Sequence, residues 1–222
     1  MILQEAYSWY SKYNPTQLRS SQLTKVIEEI EDDFNFKKII CIETGASHNW
    51  DDGCVGVFFA KVCELTNGEF HSVDINPELV NNSKLLYNSL GFTNITHYIN
   101  DSVNYLNNTK VIPNLVHLDS WDLDLTNPFP SALHGWQEFV AIEGKMPIGS
   151  ILIVDDNFFK DTWVSWDYLD GRESKKITIT YPIVGKGSNI WHFVNSGKSN
   201  WKKLSKDTVG SNQKLIFKKI KL

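Results

Sequence analysis

The sequence predicts an open, mostly parallel α/β sheet with helices wound on both faces. Three observations predict it. Short apolar runs recur between residues 38 and 157, and each ends in an acid or amide. Longer segments with apolar residues at helical spacing lie between them. The first run also turns through a glycine, Gly45, into such a segment. Strand, glycine turn and helix are how an open α/β sheet builds a ligand crevice at the carboxyl ends of its strands.

Residues 1–20 place Tyr7, Trp9, Tyr10 and Tyr13 ahead of Asn14-Pro15. Residues 21–34 carry Leu23, Val26, Ile27 and Ile30 at helical spacing, with Ser20 or Ser21 as an N-cap. Both segments are expected as helices over the sheet edge, their aromatics packing there or closing a substrate pocket. Residues 39–42 form a strand buried on both faces, ending in Glu43. Gly45 can take a positive φ and lets a ligand approach the backbone. Ser47 and Trp50 stand where a dinucleotide fingerprint needs glycines, and no G-K-[ST] follows. A ligand without a pyrophosphate is therefore expected.

A polar loop, 47–53, includes His48 and leads to a helix at 55–65. Residues 69–74 are a second strand ending in Asp74, placed where such folds grip a ribose. Pro77 opens the next helix, where its missing N–H costs nothing, and Gly91 closes it. Residues 95–99 are a third strand, followed by Asn100-Asp101-Ser102 and a short helix from Val103. Residues 114–118 are a fourth strand, running into Asp119-Ser120-Trp121-Asp122-Leu123-Asp124. Like charges so concentrated call for a cation or ligand to offset them. A helix is expected over 131–146, with Leu133, Trp136, Val140 and Ile142 on its apolar side. Residues 151–154 form the fifth strand, capped by Asp155-Asp156-Asn157. Beyond it, 176–184 alternates as a strand, 185–187 is a Gly-Lys-Gly turn, 189–194 is a strand or helical turn, and 214–222 is an edge strand with lysines on one face. With no repeat or linker, residues 1–222 are expected as one domain, 1–35 being a helical region packed on the sheet.

Apolar residues at 41% and charged residues at 22% suit a soluble globular chain with a substantial core. A net charge of −4 argues against nucleic acid held on a broad basic face. The basic cluster Lys202, Lys203, Lys214, Lys218, Lys219 and Lys221 is expected as the solvated side of the terminal strand. Cys41, Cys54 and Cys63 make neither a metal spacing nor, being odd in number, a disulfide framework. With no signal peptide and no membrane-length apolar stretch, a soluble cytoplasmic protein is expected, with no membrane partner.

Five strand ends taken together resemble a family. Glu43-Thr44-Gly45-Ala46-Ser47, Asp74, Asp101-Ser102, His117-Leu118-Asp119-Ser120-Trp121 and Val154-Asp155-Asp156-Asn157 are similar to the motif series of class I S-adenosylmethionine-dependent methyltransferases. Within them they resemble the small O-methyltransferase branch that includes catechol O-methyltransferase, over about residues 38–160. The resemblance implies a Rossmann-like, seven-stranded sheet with an antiparallel edge strand. It implies that Glu43, Gly45, Ala46 and Ser47 approach the methionine part of the cofactor and that Asp74 holds the ribose. It implies too that Asp101 and Ser102 meet the adenine edge, and that Asp119 and Trp121 complete the cofactor site.

As in the metal-dependent branch, it implies Mg2+ on Asp119, Asp156 and Asn157. Hard oxygen ligands suit that ion, which would lower the pKa of a bound hydroxyl. The chain departs from the branch at Asp122, where a lysine base stands, and at Ser47, where many members carry glycine. Asp119 and His134 are the candidate catalytic residues, His134 because an imidazole titrates near neutrality. Lys186 is a candidate contact for an anionic substrate. The expected function is O-methylation of a small hydroxylated molecule, with pairing of two copies through the terminal strand. The alternatives are an NAD-dependent oxidoreductase and a cofactor-binding module without turnover.

Overall fold

Ile40–Thr44 forms strand β1 at the centre of the main sheet, and all but Ile40 of its residues are buried. The computed structural model describes residues 2–14, 17, 19–34, 36–50, 54–159, 163–169, 174–180, 182–209 and 212–222, with side chains in all but 163–169 and 174–180. Helices α1 (Ile2–Tyr13) and α2 (Ser20–Ile30) precede β1. There follow α3 (Val55–Leu65), β2 (Glu69–Asp74), α4 (Pro77–Ser89), β3 (Ile95–Ile99), α5 (Ser102–Asn108), β4 (Leu115–Leu118), α6 (Phe129–Glu143) and β5 (Ile151–Phe159). The chain continues through β6 (Trp163–Leu169), β7 (Ser174–Thr180), β8 (Ile183–Gly185), α7 (Ser188–Asn195), β9 (Trp201–Lys203) and β10 (Gln213–Lys219).

The strand order is β3-β2-β1-β4-β5-β10-β9, parallel from β3 to β5, with β8 antiparallel to the far end of β5. The chain winds outward from β1 in one direction through β2 and β3, then returns to β4 on the other side. That reversal opens a crevice at the carboxyl ends of β1 and β4. The register sets Glu43 level with Ser72 on β2 and His117 on β4.

Strand alternation sorts the core into two layers. Leu115, Ile151 and Ile153 face α1, α2 and α3, packing with Leu23, Ile27, Phe58 and Phe59. Val116, Leu152 and Val154 face α5, α6 and α7, packing with Leu106, Phe139, Ile142 and Ile190. Helices on both faces are thus a consequence of apolar residues at successive positions of the central strands. The aromatics of α1 belong to this packing: Tyr10 is fully buried, with its ring 5.9 Å from Trp50 and 6.3 Å from Phe58.

Several expectations change in the carboxyl-terminal half. Six of the expected strands, β1–β5 and β10, lie in the main sheet, which β8 and β9 bring to eight, while β7 pairs with β6 in a separate two-stranded sheet. The antiparallel strand β10 does not form the edge: β9 pairs outside it. Lys214 and Lys219 on β10 are buried, so the expected solvated lysine face is only partial. Lys219 Nζ donates to the Glu143 carbonyl at 2.6 Å, and Lys214 pairs with Asp155. Residues 189–194 are helical, and the strand expected at 176–184 is two strands, β7 and β8. Pro15, loop residues 51–53 and Tyr181 lie outside the described residues. Among the described residues, no helix is long and apolar enough to cross a membrane.

Candidate active site

The turn after β1 brings two strand ends into contact. Gly45 has φ +82°, and a Cβ there would lie 2.4 Å from the Asp119 carbonyl oxygen. Only glycine fits both that conformation and that approach. Its N–H donates to the Val73 carbonyl at 2.9 Å. The next N–H, of Ala46, donates to Asp74 Oδ2 at 2.9 Å, and Asn76 N donates to Asp74 Oδ1 at 2.8 Å. Asp74 is thereby fixed at the rim of the crevice.

Glu43 lies beneath this turn, fully buried. Its carboxylate accepts from Ser47 Oγ at 3.0 Å and from Ser72 Oγ at 3.4 Å. Ser47 Oγ in turn accepts the Gly56 N–H at 3.1 Å. A Cβ on Gly56 would meet Glu43 Oε1 at 2.1 Å, so α3 closes over the carboxylate. In this geometry Glu43 and Ser47 brace the loop from inside. The buried His117 ring lies between acids, Nδ1 3.6 Å from Glu43 and Nε2 4.0 Å from Asp155.

One hollow, of about 90 Å³, gathers Gly45, Asp74, Asp101, Ser102, Ser120, Trp121 and His134. Trp121 is half exposed, with its ring centroid 5.1 Å from that of His134. Asp101 caps α5 by accepting the Asn104 N–H at 2.8 Å. Ser102 Oγ and His134 Nε2 are 3.0 Å apart, and Ser120 Oγ donates to buried Glu138 at 2.7 Å. Burial works against a charged His134 ring, but the Glu138 carboxylate, with help from Asp101, outweighs it and holds the pKa above the ordinary value. Glu138 and Ser120 were not singled out from the sequence; the i, i+4 spacing of His134 and Glu138 was the available signal.

Just past β4, and inside β5, which does not stop at Val154 but runs on through Asp155-Asp156-Asn157 to pair with β8, the structure brings Asp119 and Asp156 together, with Lys186 between them. The Lys186 ammonium donates to Asp119 Oδ1 and lies 2.9 Å from Asp156 Oδ2. Asp156 has φ +52°, an uncommon conformation for a non-glycine residue, and accepts from Asn212 Nδ2 at 2.8 Å. Burial, and then the charge of Asp155, push Asp119 up to about 7 despite Lys186. For Asp155, burial is outweighed by the buried Lys214 ammonium, which holds the carboxyl far below its usual range. Burial is likewise outweighed at Lys186, whose pKa is raised by Asp119 and Asp156.

The expected magnesium ligands do not fit that ion. Asn157 is turned inward: Nδ2 donates to the Val154 and Asp155 carbonyls, and Oδ1 accepts the Gly187 N–H at 2.8 Å. An ammonium already stands between the two aspartates. Among the described residues, His117, Asp119 and Asp155 also place ligand atoms within 4.8 Å of one another. There too, each aspartate is paired with a lysine.

A larger cavity of about 570 Å³ opens beside Gly185. Pro128, Phe129 and Leu133 at the start of α6, with Ile183 and Val184 of β8, give it apolar walls. Asn189 Nδ2 donates to the Ala132 carbonyl at 3.1 Å and pins α7 to α6 across it.

The sequence matches no protein-family model and no curated protein. Solved structures do match. An S-adenosylmethionine-dependent methyltransferase from Clostridium acetobutylicum is 14% identical with a TM-score of 0.55, covering 97% of this chain and 99% of that one. An rRNA methylase from Streptococcus thermophilus is 8% identical with a TM-score of 0.56, covering 90% and 96%. The cofactor-bound Rv0187 from MTB is 12% identical with a TM-score of 0.55, covering 99% and 88%. At these identities the likeness is one of fold, and it is the Rossmann-like fold that the strand ends predict.

Proposed function

We propose that this chain is an enzyme that binds S-adenosylmethionine in the crevice between β1, β2 and β4 and transfers its methyl group to a small acceptor. The observation that carries this reading is the convergence of Gly45, Asp74, Asp101 and Trp121 on one hollow. Asp74, held by the turn, takes the ribose hydroxyls. Trp121 and His134 form an aromatic wall for the purine. His134 therefore serves the nucleoside rather than the reacting centre. Asp119, Asp155 and Asp156 outnumber the two lysines paired with them, and that excess negative charge suits a sulfonium cation.

In the transfer, a lone pair on the acceptor oxygen forms a bond to the methyl carbon. The carbon–sulfur bond breaks, its electrons staying on sulfur to give a neutral thioether. The hydroxyl proton goes to Asp119, whose pKa near 7 suits a base at neutral pH. In-line placement of the two reactants supplies most of the acceleration. No metal step is needed.

The apolar cavity beside Gly185 is the acceptor site. Its walls favour an apolar, ring-sized body carrying a hydroxyl over a sugar, whose further hydroxyls would go unpaired there. Incubation with labelled S-adenosylmethionine and matched panels of phenols and sugars tests this. Transfer to phenols supports it; transfer to sugars alone contradicts the acceptor assignment, and transfer to neither contradicts the activity.

A further inference from the structure

We propose that Lys186 is the resident cation of this site, a positioning residue that holds Asp119 and Asp156 together and makes the site refuse a divalent metal. The inference rests on the reading of the crevice as a methyl-transfer site. Four observations carry it. The Lys186 side chain is almost completely buried, and its ammonium touches one oxygen of each aspartate. Two carboxylates facing one point repel each other unless a cation stands between them, and that point is occupied by a group of the chain itself. The amide that would complete a metal's oxygen set is spent on the fold, since Asn157 Oδ1 accepts the Gly187 N–H.

The backbone carrying Lys186 is also built to a fixed position. A Cβ on Gly185 would lie 2.0 Å from the Asp156 carbonyl oxygen. One on Gly187 would meet Leu215 at 2.6 Å, and one on Gly135 of α6 would meet the Lys186 carbonyl oxygen at 2.3 Å. Three glycines thus let β5, β10 and α6 close around the residue. The Lys186 N–H donates to the Asp156 carbonyl at 3.3 Å, so backbone and side chain both tie it to the stretch of β5 it neutralises.

The test uses Mn2+, an oxygen-seeking ion read directly by electron paramagnetic resonance. Wild-type protein saturated with S-adenosylhomocysteine is titrated to about 1 mM Mn2+, the weak end of the range for carboxylate sites. No uptake is expected. K186A, which leaves Asp119 and Asp156 facing an empty space, is expected to take up one equivalent, and K186A/D156N to lose it. Wild-type uptake that D119N abolishes overturns the inference, as does a folded K186A that takes up none. If K186A does not fold, the wild-type titration decides alone. Calorimetry with S-adenosylhomocysteine on the same wild-type sample tests the underlying reading separately: cofactor binding without the expected Mn2+ pattern sinks only the role of Lys186.

Discussion

Ala46 donates its backbone N–H to Asp74 Oδ2 at 2.9 Å, tying the acid at the end of β2 to the turn that follows β1. The proposed ribose-binding group and the glycine turn are thus one unit, built from two neighbouring strands.

Asp74→Ala removes both the tie and the proposed ribose contact. Charge-assisted hydrogen bonds contribute about 1.5–3 kcal/mol each. Affinity for S-adenosylhomocysteine should fall by about 10- to 100-fold, while thermal melting changes little, since the residue sits at the rim. Calorimetry and a melt on the same variant check both halves.

Gly45→Ala is predicted to damage fold and site together. The positive φ alone costs about 1–3 kcal/mol for a non-glycine residue. In addition, the new methyl group would press on the Asp119 carbonyl, 2.4 Å away. Urea denaturation should show the loss in stability, and cofactor binding should weaken at temperatures where the variant is still folded.

Lys214 and Asp155 form a buried pair, and removing one partner leaves a charge without compensation. Lys214→Met should destabilise the fold by about 3–5 kcal/mol, with Lys214→Met/Asp155→Leu recovering part of it. The Asp155 pKa is depressed in the fold. Its stabilisation is therefore present above the ordinary carboxylate pKa and is lost as pH falls toward the folded value. Urea melts from neutral to acid pH should show wild-type stability falling, and Lys214→Met falling less.

Asp119 as base predicts a pH–rate profile. Methyl transfer at saturating cofactor should rise with pH and level off above about 7, the value to which burial and Asp155 push its carboxyl. Asp119→Asn should abolish the rise along with most of the rate. A flat wild-type profile would mean that Asp119 carries no proton in the rate-limiting step.

Much of the fold is legible in the sequence because its signals are local. Each central strand is a run of a few apolar residues closed by a polar one, so Glu43, Asp74, Asp101 and Asp119 can be placed at strand ends without knowing their neighbours. The remainder depends on contacts between distant residues. Lys186 meets Asp119 across 67 positions, and Lys214 meets Asp155 across 59, so neither lysine betrays its burial locally. The lysines of β10 look like a solvated face because the pattern does not show that β9 lies outside them. Asn157 carries the side chain a metal would want, yet the hydrogen bonds that turn it inward come from the Gly185-Lys186-Gly187 turn and β5 itself. The apolar cavity has no motif because its walls come from 127–133 and 183–192, which only the tertiary fold brings together.

The proposal stands or falls on whether the hollow lined by Gly45, Asp74, Asp101 and Trp121 takes the nucleoside of a sulfonium cofactor. Titration calorimetry of the wild-type protein with S-adenosylhomocysteine tests it most directly, with NAD as the control. One-to-one binding is expected, weakened by Asp74→Ala and Trp121→Ala, with no heat from NAD. Absence of S-adenosylhomocysteine binding at millimolar ligand, or binding of NAD in its place, would contradict it.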